Sequence, residues 1–466
     1  MLSSKRDLPV SDRQSDASAT PVRLGPRTSD FVPASPPLLD EAPTPFLSRA
    51  FGHVRRIGRY AIVQGLVQIV AFASGILLVR WLPQREYAFF TIANAMQATL
   101  MLLADIGISV GLISIGGRVW QDRHRFGELI NTGLGLRRKL AAIAAIIVAP
   151  ILYAMLAKNG ASQIYILLLI VFVLAGFSIQ LSIDIFSVVP RLHSDISRIQ
   201  KIDFTCAIVR LLLIVGLIFM FATAGLAVAI ASATFLLQYF LLRSYAAKVV
   251  DLNANENAED RSEIIRLIKS LAANAIFYCF QGQITVFLIS FFARHAESVA
   301  EVGALGRLAM IFTVLMNMLT NIFVPAFARC QDKAKLRWLY AAIAGGVILF
   351  SAIVLAGAAF FPDQFLFILG NRYAHLHREL VLMVSVAVVT ALAGTLWMLN
   401  SAKAWISGAW LYIPLTLAIQ IALVPFTDFS SVASVLTFNL ISAVPSLLLN
   451  LALTFFGFRK FRPASA

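Results

Sequence analysis

Long apolar blocks separated by short polar connections fill the chain from Arg55 onward. Each of the twelve blocks is long enough for an α-helix to cross a bilayer core of roughly 30 Å, and longer than a membrane-barrel strand. The pattern therefore predicts an all-α polytopic membrane protein with twelve transmembrane helices. The blocks cover residues 58–80, 88–114, 138–157, 164–189, 204–222, 224–242, 269–293, 302–326, 338–361, 378–400, 405–425 and 431–456.

The first six blocks resemble the second six. The first block contains Gln-Gly at 64–65 and is followed by Arg80, whereas the seventh contains Gln-Gly at 281–282 and is followed by Arg294. Internal duplication is common in transporters, whose substrate sites lie between the repeats. We therefore expect two six-helix lobes, although any two apolar hairpins share some likeness.

Residues 1–54 differ from everything that follows. They are rich in Pro, Ser, Asp and Arg and contain no long apolar run. Such a segment buries too little surface to offset the entropy of ordering it, so it is expected to be disordered. The predicted organisation is a cytoplasmic tail over 1–54, an N-terminal lobe over 55–243, a cytoplasmic linker over 244–268 and a C-terminal lobe over 269–466.

Composition agrees with a membrane protein, and charge indicates its orientation. Apolar residues make up 59% of the chain and charged residues 14%, against about 45–50% and about 25% in soluble domains. The net charge is +15, and 31 of the 39 Lys and Arg residues lie in the termini and the loops after even-numbered blocks. Basic loops stay on the cytoplasmic side. Both termini are therefore expected in the cytoplasm, and the charge implies no nucleic-acid partner.

Two common enzyme motifs are missing from the sequence. It contains no G-x-x-x-x-G-K-[ST] phosphate loop and no H-E-x-x-H. The three cysteines have neither a disulfide spacing nor a metal-ligand spacing. The longest predicted outer loop, about residues 362–377, is too short for a catalytic domain. These features favour a transporter over an enzyme, with no catalytic residues and no bound metal.

A charge inside an apolar block is costly and usually functional. Asp105, Asp184 and Arg210 are expected at a similar depth in the second, fourth and fifth blocks. The two carboxylates are candidates for coupling transport to an ion. The alternative is that Asp184 and Arg210 neutralise each other and bind nothing.

Polar side chains follow helical spacing in two blocks. Asn94, Gln97, Met101 and Asp105 share one face of the second block. The eighth block repeats the spacing, and together the two faces predict a polar cleft between the lobes, unless they only form interhelical hydrogen bonds. The positions in the eighth block are Arg307, Met310, Val314, Asn317 and Asn321.

Cations lie toward the outer ends of these helices. Arg80 and Arg294 end the first and seventh blocks, and Arg307 lies further inside the eighth. Guanidinium groups bind phosphate in a bidentate manner, so an anionic head group that bears hydroxyls would fit. Snorkelling to the membrane interface explains Arg80 and Arg294 equally well, which leaves Arg307 as the strongest candidate.

Residues 82–117 resemble the first hairpin of bacterial polysaccharide (O-antigen type) flippases of the multidrug/oligosaccharidyl-lipid/polysaccharide exporter superfamily. Glu86-Tyr87 and Asp105-Ile106-Gly107 carry this likeness, although Ala88 stands where the family usually has Gly. The second half retains that Gly in 301–303, and residues 361–373 look like the family's loop before its tenth helix.

This resemblance implies a two-lobed, V-shaped exporter in the bacterial inner membrane. It would flip a polyprenyl-diphosphate-linked oligosaccharide from the cytoplasmic to the periplasmic leaflet by alternating access, for surface or exported polysaccharide. An H⁺ or Na⁺ gradient would replace a cofactor. Expected partners are the lipid-linked glycan, membrane lipids, and the polysaccharide polymerase and export machinery. The substrate-binding candidates are Arg307, Arg210, Arg80, Arg294, Asn94, Gln97, Asn317 and Asn321.

Two alternatives stay open. One is an ion-coupled drug or cation antiporter of the same superfamily, in which Asp105 or Asp184 carries the coupling ion. The other, from a different class, is a membrane glycan polymerase or ligase, against which the short outer loops argue.

Overall fold

A computed structural model describes residues 46–193, 195–293, 295–330 and 332–460, with side chains from Ile62 onward except at 196, 321, 322, 326 and 460. The chain divides into Met1–Val54 and a compact unit from Arg55 onward. All contacts given below lie within the second unit. Most of the predicted tail, residues 1–45, lies outside the described residues.

The described residues of the first half form seven α-helices, and polar caps begin several of them. The side chains of Asp122, Ser162 and Thr223 accept hydrogen bonds from backbone N–H groups in the first turns of α4, α5 and α7. Such caps satisfy N–H groups that lack a partner within the helix. The helices are α1 (Phe46–Trp81), α2 (Gln84–Asp105), α3 (Ile108–Val119), α4 (Arg123–Lys158), α5 (Gln163–Leu192), α6 (Ile196–Leu213) and α7 (Ala224–Val249).

Nine α-helices form in the described part of the second half, and Asn257 and Asp332 cap α8 and α12. They are α8 (Ala258–Phe292), α9 (Glu297–Ala309), α10 (Ile311–Met318), α11 (Val324–Arg329), α12 (Lys333–Phe360), α13 (Pro362–Leu369), α14 (His377–Ala402), α15 (Tyr412–Leu423) and α16 (Val432–Lys460). Short 3₁₀ turns cover Asn371–Tyr373, Ala409–Leu411 and Val424–Phe426.

Eleven helical segments in the described part of the chain are long and apolar enough to cross a membrane. The predicted fifth span is the exception by that criterion, because α6 carries several charged residues along its length. Helix α6 continues through a π-helical turn, Ile214–Ile218, and so still occupies the place predicted for the fifth span. The all-α polytopic architecture is confirmed.

Two predicted spans are interrupted rather than continuous. The span predicted over 88–114 ends as α2 at Asp105, and α3 starts after Gly107, whose φ of 75° favours glycine. The span predicted over 302–326 is divided between α9 and α10 at Met310 and contains a π-helical turn at Leu319–Phe323. Helix breaks inside membrane proteins are tolerated where the backbone is buried in protein or lines a cavity.

The two halves pack directly on each other. One buried apolar cluster contains Leu100 and Val173 from the first half and Leu305 and Leu380 from the second. Helix α2 crosses α9 so closely that a Cβ added at Gly303 would overlap Thr91. This explains why glycine stands at position 303.

The predicted linker over 244–268 is mostly helical, since only residues 250–257 lie outside α7 and α8. Asn131 donates hydrogen bonds of 3.0 and 2.7 Å to the carbonyls of Leu252 and Ala254. Hydrogen bonds from His124 and the backbone of Asn253 lower the pKa of Asp251. The connection is therefore fixed to the first half.

Candidate functional site

One face of α2 lines a cavity of about 430 Å³ in the first half. Asn94, Gln97 and Met101 lie on it together with Gln180 of α5 and Arg210 of α6. Gln97 donates a 3.1 Å hydrogen bond to Gln180. The helical spacing seen in the sequence thus brings three predicted positions and Arg210 to one cavity, which we call the N cavity.

Arg210 gives the N cavity its charge. The Nε of Arg210 is buried and has no hydrogen-bond acceptor among the described residues. The residues that line the cavity include no Asp or Glu. A guanidinium without a carboxylate in such a place favours an anionic ligand, because an unpaired buried charge is costly.

Arg307 lies next to this cavity from the second half. Its Nε donates to the Tyr87 hydroxyl at 3.3 Å, and its guanidinium lies 5.8 Å from the ring of Phe90, which also lines the N cavity. Gly75 leaves room for it, since a Cβ there would lie 3.3 Å from Arg307 Cδ. The positive charges of Arg307 and Arg210 are close enough to repel each other. Two cations from different lobes therefore meet beside one cavity.

The guanidinium of Arg80 is engaged with the backbone of the second half. Arg80 donates to the carbonyls of Phe367 and Ile368, where a cation stabilises the C-terminal end of α13. The structure thus assigns Arg80 a contact between the lobes. The side chain of Arg294 lies outside the described residues.

The described residues cover only part of the second predicted polar face, the one on the eighth block. Asn317 is exposed on α10, and the side chain of Asn321 lies outside the described residues. Thr313 on α10 accepts a 3.3 Å hydrogen bond from Gln68 of α1.

The predicted pairing of Asp184 with Arg210 is wrong. Asp184 instead accepts a 2.8 Å hydrogen bond from Arg137 of α4, and Asp105 lies 3.6 Å from the same Nη2. Arg137 is only 2% exposed. The sequence placed Arg137 in a basic loop because Arg138 and Lys139 follow it. Two intramembrane carboxylates at equal depth were the signal that a third helix should supply a cation.

Asp105 also connects the two parts of the interrupted span. Its Oδ1 accepts a 2.6 Å hydrogen bond from the Ser109 hydroxyl and a 3.3 Å bond from the Ser109 backbone N–H. The carboxylate thus lies at the break between α2 and α3, away from the N cavity.

Glu86, part of the hairpin motif, stabilises the start of α7. It accepts hydrogen bonds of 2.6 Å from the Tyr165 hydroxyl and 2.7 Å from the Ala224 backbone N–H. A carboxylate is favourable at a helix N-terminus. The motif residue is therefore structural, whereas its neighbour Tyr87 contacts Arg307.

A second cavity, of about 570 Å³, lies between α8, α14, α15 and α16, and we call it the C cavity. None of its lining residues is charged. The Oδ1 atoms of Asn439 and Asn450 are buried there without a hydrogen-bond partner among the described residues. Tyr412 stacks on Tyr278 with ring centroids 5.4 Å apart. Sequence reasoning missed this site because its polar residues are spread over several helices.

No protein-family model matches this chain, and no curated protein matches it. Solved structures do match. A multidrug resistance MATE family transporter of the MOP superfamily, inward-facing, has a TM-score of 0.59 at 16% identity, covering 86% of this chain and 100% of that chain. A MOP superfamily transporter from Pyrococcus furiosus, described as having a binding pocket of reverse polarity, has a TM-score of 0.54 at 16% identity over 87% and 96%.

A eukaryotic MATE transporter has a TM-score of 0.53 at 13% identity, covering 89% of this chain and 99% of that chain. At these identities the likeness concerns the fold. The chain has the two-lobed, all-α fold of MATE transporters of the MOP superfamily, the superfamily that the sequence resemblance indicated.

Proposed function

We propose that this protein is a membrane transporter that moves a lipid-linked diphosphate sugar across the inner membrane by alternating access. The observation that carries the proposal is the meeting of Arg210 and Arg307 beside the N cavity, whose lining residues include no carboxylate. The cargo would be a polyprenyl-diphosphate-linked oligosaccharide, carried from the cytoplasmic to the periplasmic leaflet.

A diphosphate suits this arrangement electrostatically. Two guanidinium groups that repel each other in a low-dielectric region are both stabilised by an anion placed between them. Arg210 and Arg307 come from different lobes, so a diphosphate between them would hold the lobes in one relative position. Release of the anion would restore the repulsion and favour separation.

The C cavity supports a saccharide as the rest of the cargo. Neutral amides, hydroxyls and aromatic faces line it, which is the chemistry that recognises sugar hydroxyls and the apolar faces of sugar rings. The acceptors left open at Asn439 and Asn450 would take hydroxyl donors from the glycan.

One observation favours the alternative, an ion-coupled drug or cation antiporter. The structures with the same fold are MATE transporters, and Arg137 is shared by two carboxylates, Asp105 and Asp184, which leaves one negative charge in excess. That charge would serve a proton or a sodium ion equally well in a flippase. A cationic cargo fits poorly beside Arg210.

The test is the distribution of lipid-linked glycan between leaflets in cells that express Arg307→Ala. We expect completed glycan to accumulate on the cytoplasmic side while protein amount stays normal. Arg243→Ala is the control, because Arg243 is exposed on α7 and contacts Tyr239. Normal export by Arg307→Ala would refute the proposal, and altered drug resistance with intact surface glycan would favour the antiporter.

A further inference from the structure

A groove of about 550 Å³ runs between α4 and α5, separate from both cavities. Small residues open it on the α4 side, where Ala141, Ala142 and Ala145 stand in place of larger side chains. Neighbouring side chains Ile146 and Val171 are 75% and 61% exposed, as expected of positions that face lipid. The groove is therefore open to the membrane.

One end of the groove is cationic and the other is apolar. Arg138 is exposed at the cationic end and has no ion pair with a described residue. Ser178 and Ser182 face it from α5 along the same groove. Leu174 and Ala145 line the apolar end. A molecule that fits must carry an anion at one end and hydrocarbon at the other.

Arg137 lies at the bottom of the cationic end. It also lines the groove, is only 2% exposed, and uses Nη2 alone to contact Asp184. Its Nε and Nη1 are buried with no hydrogen-bond acceptor in the described part of the chain. Buried donors normally have partners. The two free donors indicate that an acceptor with several oxygens belongs here.

We propose that this groove binds the phosphate group of an anionic lipid, with the hydrocarbon chain along the alanines of α4. Arg138, the hydroxyl of Ser182 and the free donors of Arg137 supply the phosphate contacts, while the Ser178 hydroxyl donates to the Leu174 carbonyl at 2.8 Å. Guanidinium and hydroxyl groups together suit phosphate oxygens, and the basic loops place this end at the cytoplasmic leaflet. The inference is independent of the cargo that the N cavity carries.

A bound phosphate would also affect the carboxylates. Arg137 is the cation that Asp184 and Asp105 share. A phosphate that draws Arg137 toward the groove would weaken both contacts.

The experiment uses the purified full-length protein in a neutral detergent and three probes. Dioleoylphosphatidylglycerol carries phosphate and hydrocarbon, dioleoylglycerol lacks the phosphate, and glycerol 3-phosphate lacks the hydrocarbon. We expect only the first to raise the thermal unfolding midpoint in a saturable manner. Equal stabilisation by dioleoylglycerol, or by glycerol 3-phosphate, would overturn the proposal by showing that the anion or the chain is dispensable.

Two variants locate the site. Arg138→Gln should weaken apparent lipid affinity about tenfold, which is the loss expected for one charge-assisted contact. Lys139→Gln, the adjacent exposed cation outside the groove, should leave it unchanged. Ala142→Leu fills the groove without changing charge and should also weaken binding. Equal effects of Arg138→Gln and Lys139→Gln, or unchanged affinity in both groove variants, would contradict the assignment.

Discussion

The N cavity and the C cavity occupy the two halves of the chain, yet their chemistry differs. The N cavity has a single cation, Arg210, and two glutamines and an asparagine around it. The C cavity has no charge and is lined by aromatic rings and neutral polar groups. Under the proposed function, the two halves would therefore divide the recognition of one amphiphilic cargo, with the anion bound in the first half and the hydroxyls in the second.

The difference in recognition between the N cavity and the C cavity would be refuted most clearly if reversing the charge of the N cavity left the affinity for lipid unchanged. Arg210→Glu should lower the affinity of the purified protein for a polyprenyl diphosphate by roughly a hundredfold, because an attraction becomes a repulsion. Titration of the lipid against the variant in detergent measures this. Arg243→Glu on the exposed side of α7 is the matched charge reversal, and an equal loss there would show that net charge alone matters.

The charged cluster of Arg137, Asp105 and Asp184 provides a second test, since it belongs to the first half and the C cavity has no charged residue. Asp184→Asn should lower the free energy of unfolding by about 1–3 kcal/mol, because Arg137 then loses its 2.8 Å partner. Asp105→Asn should cost less, since its distance to Arg137 is 3.6 Å. Thermal unfolding of both variants measures the order, and a larger loss in Asp105→Asn would contradict the observed pairing.

The stacked rings of Tyr278 and Tyr412 allow a test of whether the C cavity contacts sugar. Tyr412→Ala should lower affinity for polyprenyl diphosphate that carries its oligosaccharide about tenfold, while affinity for bare polyprenyl diphosphate stays constant. Tyr412→Phe retains the ring stacked on Tyr278 and should lose less. If both lipids lose affinity equally, the C cavity does not discriminate the glycan.

One glycine in each half should also differ in its tolerance of a side chain. Gly394 lines the C cavity, and Gly176 lies behind Gln97 of the N cavity. A Cβ added at Gly176 would lie 2.5 Å from the Ser232 hydroxyl, whereas one at Gly394 meets only the flexible end of Met316, at 3.0 Å. Gly176→Ala should therefore destabilise by about 1 kcal/mol, and Gly394→Ala by less. Unfolding midpoints compare them, and the reverse order would mean that the surroundings of Gly176 repack more easily.

Helical periodicity predicted most of the architecture and part of the N cavity. Asn94, Gln97 and Met101 could be assigned to one face because a helix returns to the same side every three to four residues. Twelve spans were expected for the same reason, but hydropathy missed the interruptions and the early start of α4. A break such as that at Gly107 depends on local backbone geometry, which hydropathy does not record.

The role of Arg137 could not be predicted, because three consecutive basic residues look like a cytoplasmic loop. Helix α4 begins at Arg123, well before the predicted start at residue 138, and so carries Arg137 into the protein interior. Its neighbour Arg138 is exposed on the same helix, whereas Arg137 is buried. The C cavity was not predicted, because Gln281 lies far from Asn439 and Asn450 in the sequence.

The interruption at Ile106 and Gly107 means that the second span does not behave as one rigid rod. Two residues join α2 to α3, and the Asp105 carboxylate accepts a hydrogen bond from Ser109 across the gap. Bending of the span is therefore expected to concentrate at this joint, so that α2 and α3 can tilt relative to each other while each helix stays intact.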